Sequence, residues 1–399
     1  MHAHQENIPR KKIFWIGNAI SDLLLSKEAE IESLQGLAES GYDVYLFAGQ
    51  SKRRVKKANS NIHLIPIPLR YVPLISPFLY ALAVLILLPF YIVTKKPNFI
   101  VMEPDLTTAS FIWKTLLHPS RSKIILDIRS TPVEPDNFQG SLRTLRFNTS
   151  VAIAKKVFDG MTTLTDLMKQ EICNKFYIDP RFIGVWTSGV STALFKPENY
   201  DGVEIRKKLG LINKFIVFYH GSLSLYRGIE ESIESIRILK KECDDIVLFL
   251  LGKSPRARDL LVIKELIQKS EVQDNVIIHS AVCYEDVPKY ISMCDVGIVP
   301  LPDLPYWRYQ CPLKLLEYLA MKKVVIVTDI PANREVIGES KCGIYVSSLD
   351  PEKIANAITY AYDNRDKLKE WGSDGRVIVE EKYSRNEVAK DLESFLLKG

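Results

Sequence analysis

Arg227 stands where a predicted strand passes through a glycine-containing loop into a predicted helix. The strand covers residues 215–219, and the helix begins near Gly228. A helix N-terminus offers unpaired N–H groups and positive partial charge, both of which suit a pyrophosphate. The guanidinium of Arg227 can add a bidentate charged contact. The pattern predicts phosphate binding, and an exposed arginine that caps a loop is the simpler structural alternative.

Glu317 is a second candidate because its position on a predicted helix is unusual for a carboxylate. Leu313, Leu316, Glu317 and Ala320 follow the i, i+3, i+4, i+7 spacing of one helix face. Glu317 therefore lies on or beside the apolar stripe, where a carboxylate is costly unless it has a partner. We expect a partner for Glu317, while a border glutamate on an ordinary helix remains the alternative.

Strands and helices alternate along almost the whole chain and must position these residues. Strands are expected at residues 12–16, 42–47, 62–66, 99–102, 124–127, 160–163 and 182–186, and again at 215–219, 246–251, 276–279, 296–300, 324–328 and 343–346. Helices are expected between them, among them 27–39 and 141–159. This alternation predicts an α/β fold with two doubly wound parallel sheets. Ligands of such sheets bind beyond the carboxyl ends of the strands.

The composition is that of a globular protein. The 399 residues are 47% hydrophobic and 25% charged, with a formal net charge of +5, and this length predicts two domains of roughly 200 residues each. Acidic and basic residues are interleaved, which argues against nucleic acid as a partner. The basic cluster within residues 52–57 is interpreted as a solvated loop, with contact to an anionic membrane as the alternative.

The cysteine pattern and the N-terminus favour a reducing cytoplasm. The six cysteines form no C-x-x-C pair, which is typical of neither a disulfide framework nor a zinc site. Cys283, Cys294 and Cys342 lie in apolar or strand-adjacent contexts, so we expect buried thiols there. The first residues, MHAHQENIPRKK, lack the hydrophobic core of a signal peptide.

Residues 72–94 contain no charged side chain, and the segment is long enough to be a candidate membrane span. Strands of one predicted sheet precede and follow it, and a single crossing would put them on opposite sides of the membrane. Pro73, Pro77 and Pro89 also interrupt the run. We therefore expect a helix that is partly core and partly membrane-facing, with monotopic membrane contact and full burial both open.

The stretch CPLKLLEYLAMKKVVIVTDIPANREV, residues 311–336, resembles the donor-site segment of retaining GT-B glycosyltransferases of family 4. The resemblance implies a donor site at Leu313, Lys314 and Glu317, in which Glu317 holds the ribose hydroxyls of a nucleotide. Tyr309 stands where many family members carry a second glutamate.

Two further segments extend the resemblance. In YHGSLSLYRG, the family pattern implies phosphate contacts at Gly221, Ser222 and Arg227, with Ser222 in place of the usual arginine and Arg227 in place of the usual lysine. Lys253 or Lys314 is expected to supply the missing charge, although either can equally be a surface lysine.

The segment 275–302 is similar to the family's base pocket. Main-chain groups of Val282 and Cys283 are expected at the base edge, and Tyr284 either packs against the base or caps the loop.

The first half of the chain resembles the family less. Gly17 and Asn18 occupy the place of a glycine-rich loop that contributes to the donor site in relatives. In LDIRST, Arg129 occupies a region near the reacting centre and is expected to contact donor phosphate or acceptor, with Asp127 as its partner. A purely structural Asp–Arg pair is the alternative.

The resemblance implies the GT-B fold: two Rossmann-like domains that face a central cleft. The acceptor-side domain is expected at residues 1–190 and the nucleotide-sugar domain at 191–375. Residues 376–399, with a helix at 383–397, are expected to cross back to the first domain.

The implied reaction is metal-independent transfer of a sugar, with retention, from a nucleotide-diphosphate sugar to a glycan or lipid-linked glycan. Arg227, Glu317 and Arg129 are the expected catalytic residues, and no cofactor is expected besides the donor substrate. The expected location is the cytoplasm, either free or bound peripherally to the membrane. A GT-B nucleotide-sugar epimerase and a non-catalytic scaffold are the alternatives, the second because Ser222 and Tyr309 replace charged family residues.

Overall fold

The computed structural model describes residues 10–17, 34–49, 61–67, 75–113, 122–132, 138–254 and 256–398. Asn18 and the basic cluster at 52–57 lie outside these ranges. The described residues divide into two compact units. The first extends to Thr187 and resumes at Val388, and the second extends from Ser188 to Glu387. The division falls close to the expected border after residue 190.

The first unit contains a seven-stranded sheet in the order β3-β2-β1-β4-β5-β6-β7, and each pair of neighbouring strands is parallel. Its strands are β1 (Lys12–Ile16), β2 (Asp43–Gly49), β3 (Ile62–Ile67), β4 (Phe99–Met102), β5 (Lys123–Ile128), β6 (Gly160–Thr163) and β7 (Ile183–Val185). Most of them are short apolar runs that are buried along nearly their whole length. Such runs are typical of parallel strands covered on both faces, and every strand expected in this half is present.

Helices connect these strands. They are α1 (described over 34–39), α2 (Ser76–Lys95), α3 (Phe138–Val157) and α4 (Asp166–Phe176), with short 3₁₀ helices at Leu106–Phe111 and Pro180–Phe182. The expected helix at 141–159 corresponds to α3, while most of the expected helix at 27–39 lies outside the described residues.

The second unit contains a six-stranded sheet in the order β10-β9-β8-β11-β12-β13, again with parallel neighbours. Its strands are β8 (Phe215–Ser222), β9 (Ile246–Lys253), β10 (Val276–Ser280), β11 (Val296–Val299), β12 (Val324–Thr328) and β13 (Gly343–Val346). The chain runs outward from the central β8 in one direction and then from β11 in the other. The predicted pair of doubly wound parallel sheets is confirmed.

The helices of the second unit cover its sheet. They are α5 (Gly202–Leu209), α6 (Ile229–Leu239), α7 (Ala257–Lys269), α8 (Val287–Met293), α9 (Pro305–Arg308), α10 (Leu313–Ala320), α11 (Pro331–Ile337), α12 (Pro351–Asp363) and α13 (Leu368–Ile378), with 3₁₀ helices at Pro197–Asn199, Leu225–Arg227 and Tyr284–Asp286 and a π-helical turn at Val379–Tyr383. The isoleucine face of α6, which includes Ile229, Ile233 and Ile236, is buried in the core of this unit. Each such side chain contributes about 1.5–3 kcal/mol through its burial.

The C-terminal helix α14 (Arg385–Leu397) packs its apolar face into the core of the first unit. Val388, Leu392 and Leu396 are buried there. The ring of Phe395 lies directly over Gly184, where an added Cβ would overlap it. The absence of a side chain at Gly184 is therefore what admits the helix to this face of the sheet.

Helix α2 connects β3 with β4, and it is the described helix that is long and apolar enough to cross a membrane. Tyr80, Val84, Leu88 and Ile92 face the core, and the Tyr80 hydroxyl donates a 2.7 Å hydrogen bond to the carbonyl oxygen of Phe47. Both ends of α2 lead into strands of one parallel sheet, so a crossing would split that sheet. The structure therefore agrees with the expected helix within residues 72–94, one face of which packs on the core.

The opposite face of α2 remains uncovered. Its exposed side chains are those of Ile75, just before the helix, and of Phe78, Leu79, Leu82, Ile86, Phe90 and Val93. Only 22% of its most apolar 18-residue window is buried. The alternative of full burial is therefore wrong.

Candidate active site

The candidate residues of the second unit meet at the carboxyl edge of its sheet. His220, Gly221 and Ser222 end β8, and Gly221 and Ser222 stand beside Gly252 and Lys253 of β9 in the parallel register. A small cavity of about 10 Å³ at this edge is lined by His220, Gly221, Leu251, Gly252, Ala281, Val282 and Val287. The segment predicted to meet a nucleotide base therefore lies next to the loop predicted to meet its phosphates.

Two glycines let the backbone turn and approach closely here. Gly221 has φ +120°, a conformation that side chains rarely adopt. A Cβ on the neighbouring Gly252 would overlap the carbonyl oxygen of Gly221. The ends of β8 and β9 can approach this closely only because Gly252 has no side chain.

Arg227 ends the 3₁₀ turn just before α6, as predicted. The central carbon of its guanidinium group lies 4.8 Å from the centre of the Trp307 ring. Tyr219 is a second neighbour: burial raises the pKa of its hydroxyl to about 12, and the nearby Arg227 opposes that rise. Arg227 is thus held among aromatic rings, while the first turn of α6 carries Glu230 and Glu231. Because these carboxylates offset the helix dipole, charge for an anion must come mainly from side-chain cations.

Lys314 lies in the first turn of α10 and brings a second cationic side chain to Tyr219. Its Nζ is buried, 3.7 Å from the centre of the Tyr219 ring, and makes no hydrogen bond to any described residue. Burial and the charge of Arg227 hold the pKa of Lys314 well below its usual range, and Glu317 opposes this shift. A buried amine without a hydrogen bond lowers the stability of the fold, and a nearby arginine adds charge repulsion. Such a pair of cations suits a site that binds an anion.

Glu317 has the partner that its position required. Its side chain is 3% exposed, and its Oε2 lies 3.0 Å from Nε2 of His220. Tyr318 fixes the two elements to each other: its hydroxyl donates to the carbonyl oxygen of Phe218 at 2.8 Å and accepts from the N–H of His220 at 3.2 Å. The sequence reasoning missed His220, although a histidine directly before a glycine at a strand's end was a usable signal.

The predicted base segment follows β10 as expected, but two of its side chains face other surroundings. Cys283 is exposed, so the expectation of a buried thiol is wrong there, whereas Cys294 and Cys342 are buried. The ring of Tyr284 packs edge-on against the buried Phe195 at 5.6 Å between ring centres. This contact anchors the loop and agrees with the loop-capping alternative for Tyr284.

The remaining donor-site candidates of this unit lie around the same edge. The side chain of Lys253, at the end of β9, is exposed. Leu313 is the first residue of α10, directly after Pro312. Tyr309 is half-buried and directly follows α9. Of the two lysines considered for the missing phosphate charge, Lys314 is thus the one brought to Arg227 and Tyr219.

Arg129, in the first unit, is held by Trp186. Its Nη1 donates to the Trp186 carbonyl oxygen at 3.0 Å, and its guanidinium carbon lies 4.2 Å from the centre of the indole ring. Asp127 is fully buried, and its Oδ1 accepts hydrogen bonds from Trp186 Nε1 and Thr162 Oγ1. Burial raises the pKa of Asp127, and Arg129, whose Nε lies 4.0 Å from Oδ2, opposes the rise. The expected Asp–Arg pair is therefore present.

Gly17, the other candidate of the first unit that the structure describes, is buried just after β1.

Residues 203–377 match the family model described as Glycosyl transferases group 1. This match lies within the second unit and includes Arg227, Lys314 and Glu317. Among curated proteins, alpha-D-kanosaminyltransferase of Streptomyces kanamyceticus is 24% identical over 190 residues, which are 47% of each chain. A GDP-mannose-dependent alpha-(1-6)-phosphatidylinositol monomannoside mannosyltransferase of Mycobacterium tuberculosis is 23% identical over 210 residues, 52% of this chain and 54% of that protein. The chain thus spans about half the length of these relatives.

Solved structures are similar over nearly the whole chain. A glycosyltransferase from Rickettsia africae ESF-5 superposes with a TM-score of 0.74 and 18% identity, covering 98% of this chain and 100% of that one. Anabaena Alr3699/HepE, solved in complex with UDP, also reaches 0.74 at 13% identity, covering 97% and 99% of the two chains. This chain has the GT-B fold. At these identities the likeness concerns the fold alone, and it confirms the predicted fold class.

Among the described residues, no group of three or more histidine, cysteine, aspartate or glutamate side chains is placed to hold a metal ion.

Proposed function

We propose that this protein is a glycosyltransferase of the retaining family 4 type. In this proposal it moves a sugar from a nucleotide-diphosphate sugar to a glycan or lipid-linked glycan without a divalent metal. The observation that carries the proposal is the convergence of Arg227 and Lys314 on Tyr219, beside the buried Glu317–His220 pair. The group 1 match over residues 203–377 and the UDP complex of a structural neighbour support this choice.

Each of the three parts of the nucleotide would meet a different part of this edge. Arg227 and Lys314 would bind the diphosphate, and Glu317 would bind the ribose hydroxyls. The base would lie against the segment after β10, near Val282, which borders a small cavity together with Gly221.

Transfer breaks the bond between the anomeric carbon and the diphosphate, so negative charge develops on the leaving group. Arg227 and Lys314 would stabilise that charge, which is the role that a divalent metal plays in other transferases. In a retaining reaction of this type, the acceptor hydroxyl attacks from the leaving-group face and passes its proton to the departing phosphate. No protein nucleophile is needed, which fits a site built from cations and one buried carboxylate.

The first unit would supply the acceptor side. Arg129 is the candidate there, because its guanidinium group is stacked on Trp186 and partly exposed. Stacking on an indole fixes the plane of an arginine while its remaining N–H groups stay available. We assign Arg129 to the acceptor or to the donor phosphate.

The uncovered face of α2 supports a membrane-bound acceptor. Its exposed aliphatic and phenylalanine side chains offer no polar atoms for specific pairing, and two exposed lysines, Lys95 and Lys96, follow at its C-terminal end. Apolar side chains with flanking basic residues are the usual composition of a helix that lies in an anionic membrane interface. We therefore propose peripheral binding to the cytoplasmic membrane face through α2, which would bring the protein to a lipid-linked acceptor.

Product analysis tests the proposed activity. UDP-, GDP- and ADP-sugars are incubated with the protein, with and without glycan and lipid-linked acceptors, and the nucleoside diphosphate and sugar products are identified. Acceptor-dependent release of nucleoside diphosphate with retained configuration is the expected result. Conversion of the donor sugar without an acceptor would indicate an epimerase. Donors that bind but are not converted would indicate a non-catalytic scaffold.

A matched pair of arginine variants links that activity to the site. Arg227→Gln should abolish release, whereas Arg237→Gln, on the exposed face of α6 where Arg237 pairs with Glu234, should not change it. Equal losses in both variants would contradict the role of Arg227.

A further inference from the structure

His220 and Glu317 form a buried couple from two distant parts of the chain. His220 is 7% exposed and Glu317 3%, and Nε2 and Oε2 lie 3.0 Å apart. His220 ends the buried part of β8, and Glu317 lies in α10. The two hydrogen bonds of the Tyr318 hydroxyl hold α10 against β8, so the couple has a fixed geometry.

The imidazole ring of His220 has two different sides. Rings of Tyr318 and Phe218 pack against it, with centres 5.1 and 5.9 Å away. His220 also lines the pocket at the sheet edge together with Gly221, Gly252 and Val282. Packing therefore fixes the ring plane, and the ring contacts Glu317 and also borders the small cavity at the sheet edge.

The 3.0 Å ion-pair contact with His220 holds one carboxylate oxygen of Glu317, which leaves the other oxygen oriented and available. Without His220, the carboxylate of Glu317 would be buried without this partner, which is unfavourable for a charge and leaves its orientation unspecified. A ribose presents two adjacent hydroxyls, and a fixed carboxylate can accept from both. The geometry of the His220–Glu317 couple therefore suits recognition of the ribose of a nucleotide.

We propose that His220 is a positioning residue for ribose recognition: it orients Glu317 toward the 2′- and 3′-hydroxyls of a bound nucleotide. The inference rests on the proposed function, because it assumes that a nucleoside diphosphate is the ligand. It adds that this site distinguishes ribonucleotides from 2′-deoxyribonucleotides, and that this discrimination depends on His220.

Calorimetric titration of the full chain with three probes tests the inference. The probes are a ribonucleoside diphosphate with the base that binds the wild type, its 2′-deoxy analogue, and inorganic pyrophosphate. The wild type should bind the ribonucleotide about tenfold to a hundredfold more tightly than the deoxynucleotide, the effect of one or two charge-assisted hydrogen bonds. His220→Phe, which keeps a ring without nitrogen atoms, should bring that ratio close to one.

Two more variants separate positioning from general damage. His220→Gln retains a side-chain N–H and should restore most of the discrimination. His63→Gln changes a histidine of β3 that stacks on Tyr45 in the first unit, and it should leave the ratio unchanged. Pyrophosphate affinity should stay the same in all variants. If His220→Phe does not fold, His220→Leu takes its place.

An unchanged ratio in His220→Phe, with ribonucleotide affinity intact, would overturn the inference. A parallel loss of pyrophosphate and nucleotide binding in a folded variant would also overturn it, because it would show a structural role. Failure of the wild type to bind any nucleoside diphosphate would remove the proposed function and this inference together, so the two failures are distinguishable.

Discussion

Nζ of Lys314 lies 3.7 Å from the centre of the Tyr219 ring, buried and without a hydrogen-bond partner among the described residues. Lys314 belongs to α10 and Tyr219 to β8, so the contact joins two elements far apart in the sequence. Of the charged groups near the amine, Arg227 disfavours its protonation and Glu317 favours it. This contact and the lowered pKa of Lys314 lead to the first two predictions.

Binding of a nucleoside diphosphate should be accompanied by proton uptake. Burial and Arg227 lower the pKa of Lys314 in the empty site, and a bound diphosphate would raise it. Between these two pKa values the complex holds a proton that the empty site lacks, so affinity should fall as pH rises through that window. Calorimetry in buffers with different ionisation enthalpies measures the uptake.

Lys314→Met should abolish the uptake and weaken binding, and Lys253→Met, which changes an exposed lysine, should preserve both. Binding without proton uptake in the wild type would contradict this account of Lys314.

Lys314→Met should also stabilise the empty protein. A buried amine without a hydrogen bond costs about 1–3 kcal/mol, and methionine fills a similar volume without that cost. The lowered pKa of Lys314 means that the folded state binds fewer protons than the unfolded chain, so wild-type stability should rise with pH towards 10.5, the ordinary pKa of lysine. Urea unfolding at several pH values measures both effects. A less stable variant would show that Lys314 has a structural partner.

Gly228, which precedes α6, should tolerate alanine much less well than Gly210 does. Both glycines have positive φ, +69° and +71°, so each substitution carries a backbone cost of about 1–2 kcal/mol. A Cβ on Gly228 would also overlap the carbonyl oxygen of Pro300, whereas a Cβ on Gly210 would meet nothing within 4 Å. Denaturant unfolding should therefore show a loss of about 3 kcal/mol or more for Gly228→Ala only. Equal losses in the two variants would show that Pro300 can move away.

Substitutions on the exposed face of α2 should reduce binding to anionic vesicles without unfolding the protein. Ile86 and Phe90 are each 64% exposed, so Ile86→Glu and Phe90→Glu remove apolar contact with lipid and leave the core intact. Co-sedimentation with phosphatidylglycerol-containing vesicles measures the effect, and Leu261→Glu, at an exposed leucine of α7, is the control. If the wild type stays in solution with these vesicles, the proposed contact between α2 and an anionic membrane is wrong.

Much of the fold followed from the sequence because parallel strands are marked by short apolar runs. β1, β4, β6, β12 and β13 have the predicted bounds. β8 and β9 extend further than predicted, to Ser222 and Lys253, because they pair through their glycines. The local apolar pattern predicts where a strand lies, whereas the residue at which the strand ends depends on its pairing with neighbouring strands.

The site was predictable only in part for the same reason. Helical spacing showed that Glu317 needs a partner, but tertiary packing brings His220 to it. The sequence of α2 is apolar on all sides, so periodicity could not show which face the sheet covers. The buried environment of Lys314 also depends on Tyr219, in another strand.

The most direct measurement is calorimetric binding of UDP-, GDP- and ADP-sugars to the wild type and to Glu317→Ala. We predict that one nucleotide class binds the wild type and that Glu317→Ala loses at least about tenfold in affinity, since a buried carboxylate contact to ribose is removed. Binding of none of the three classes by the folded wild type would contradict a nucleotide-sugar site in the second unit. Equal binding by the wild type and the variant would contradict the role of Glu317.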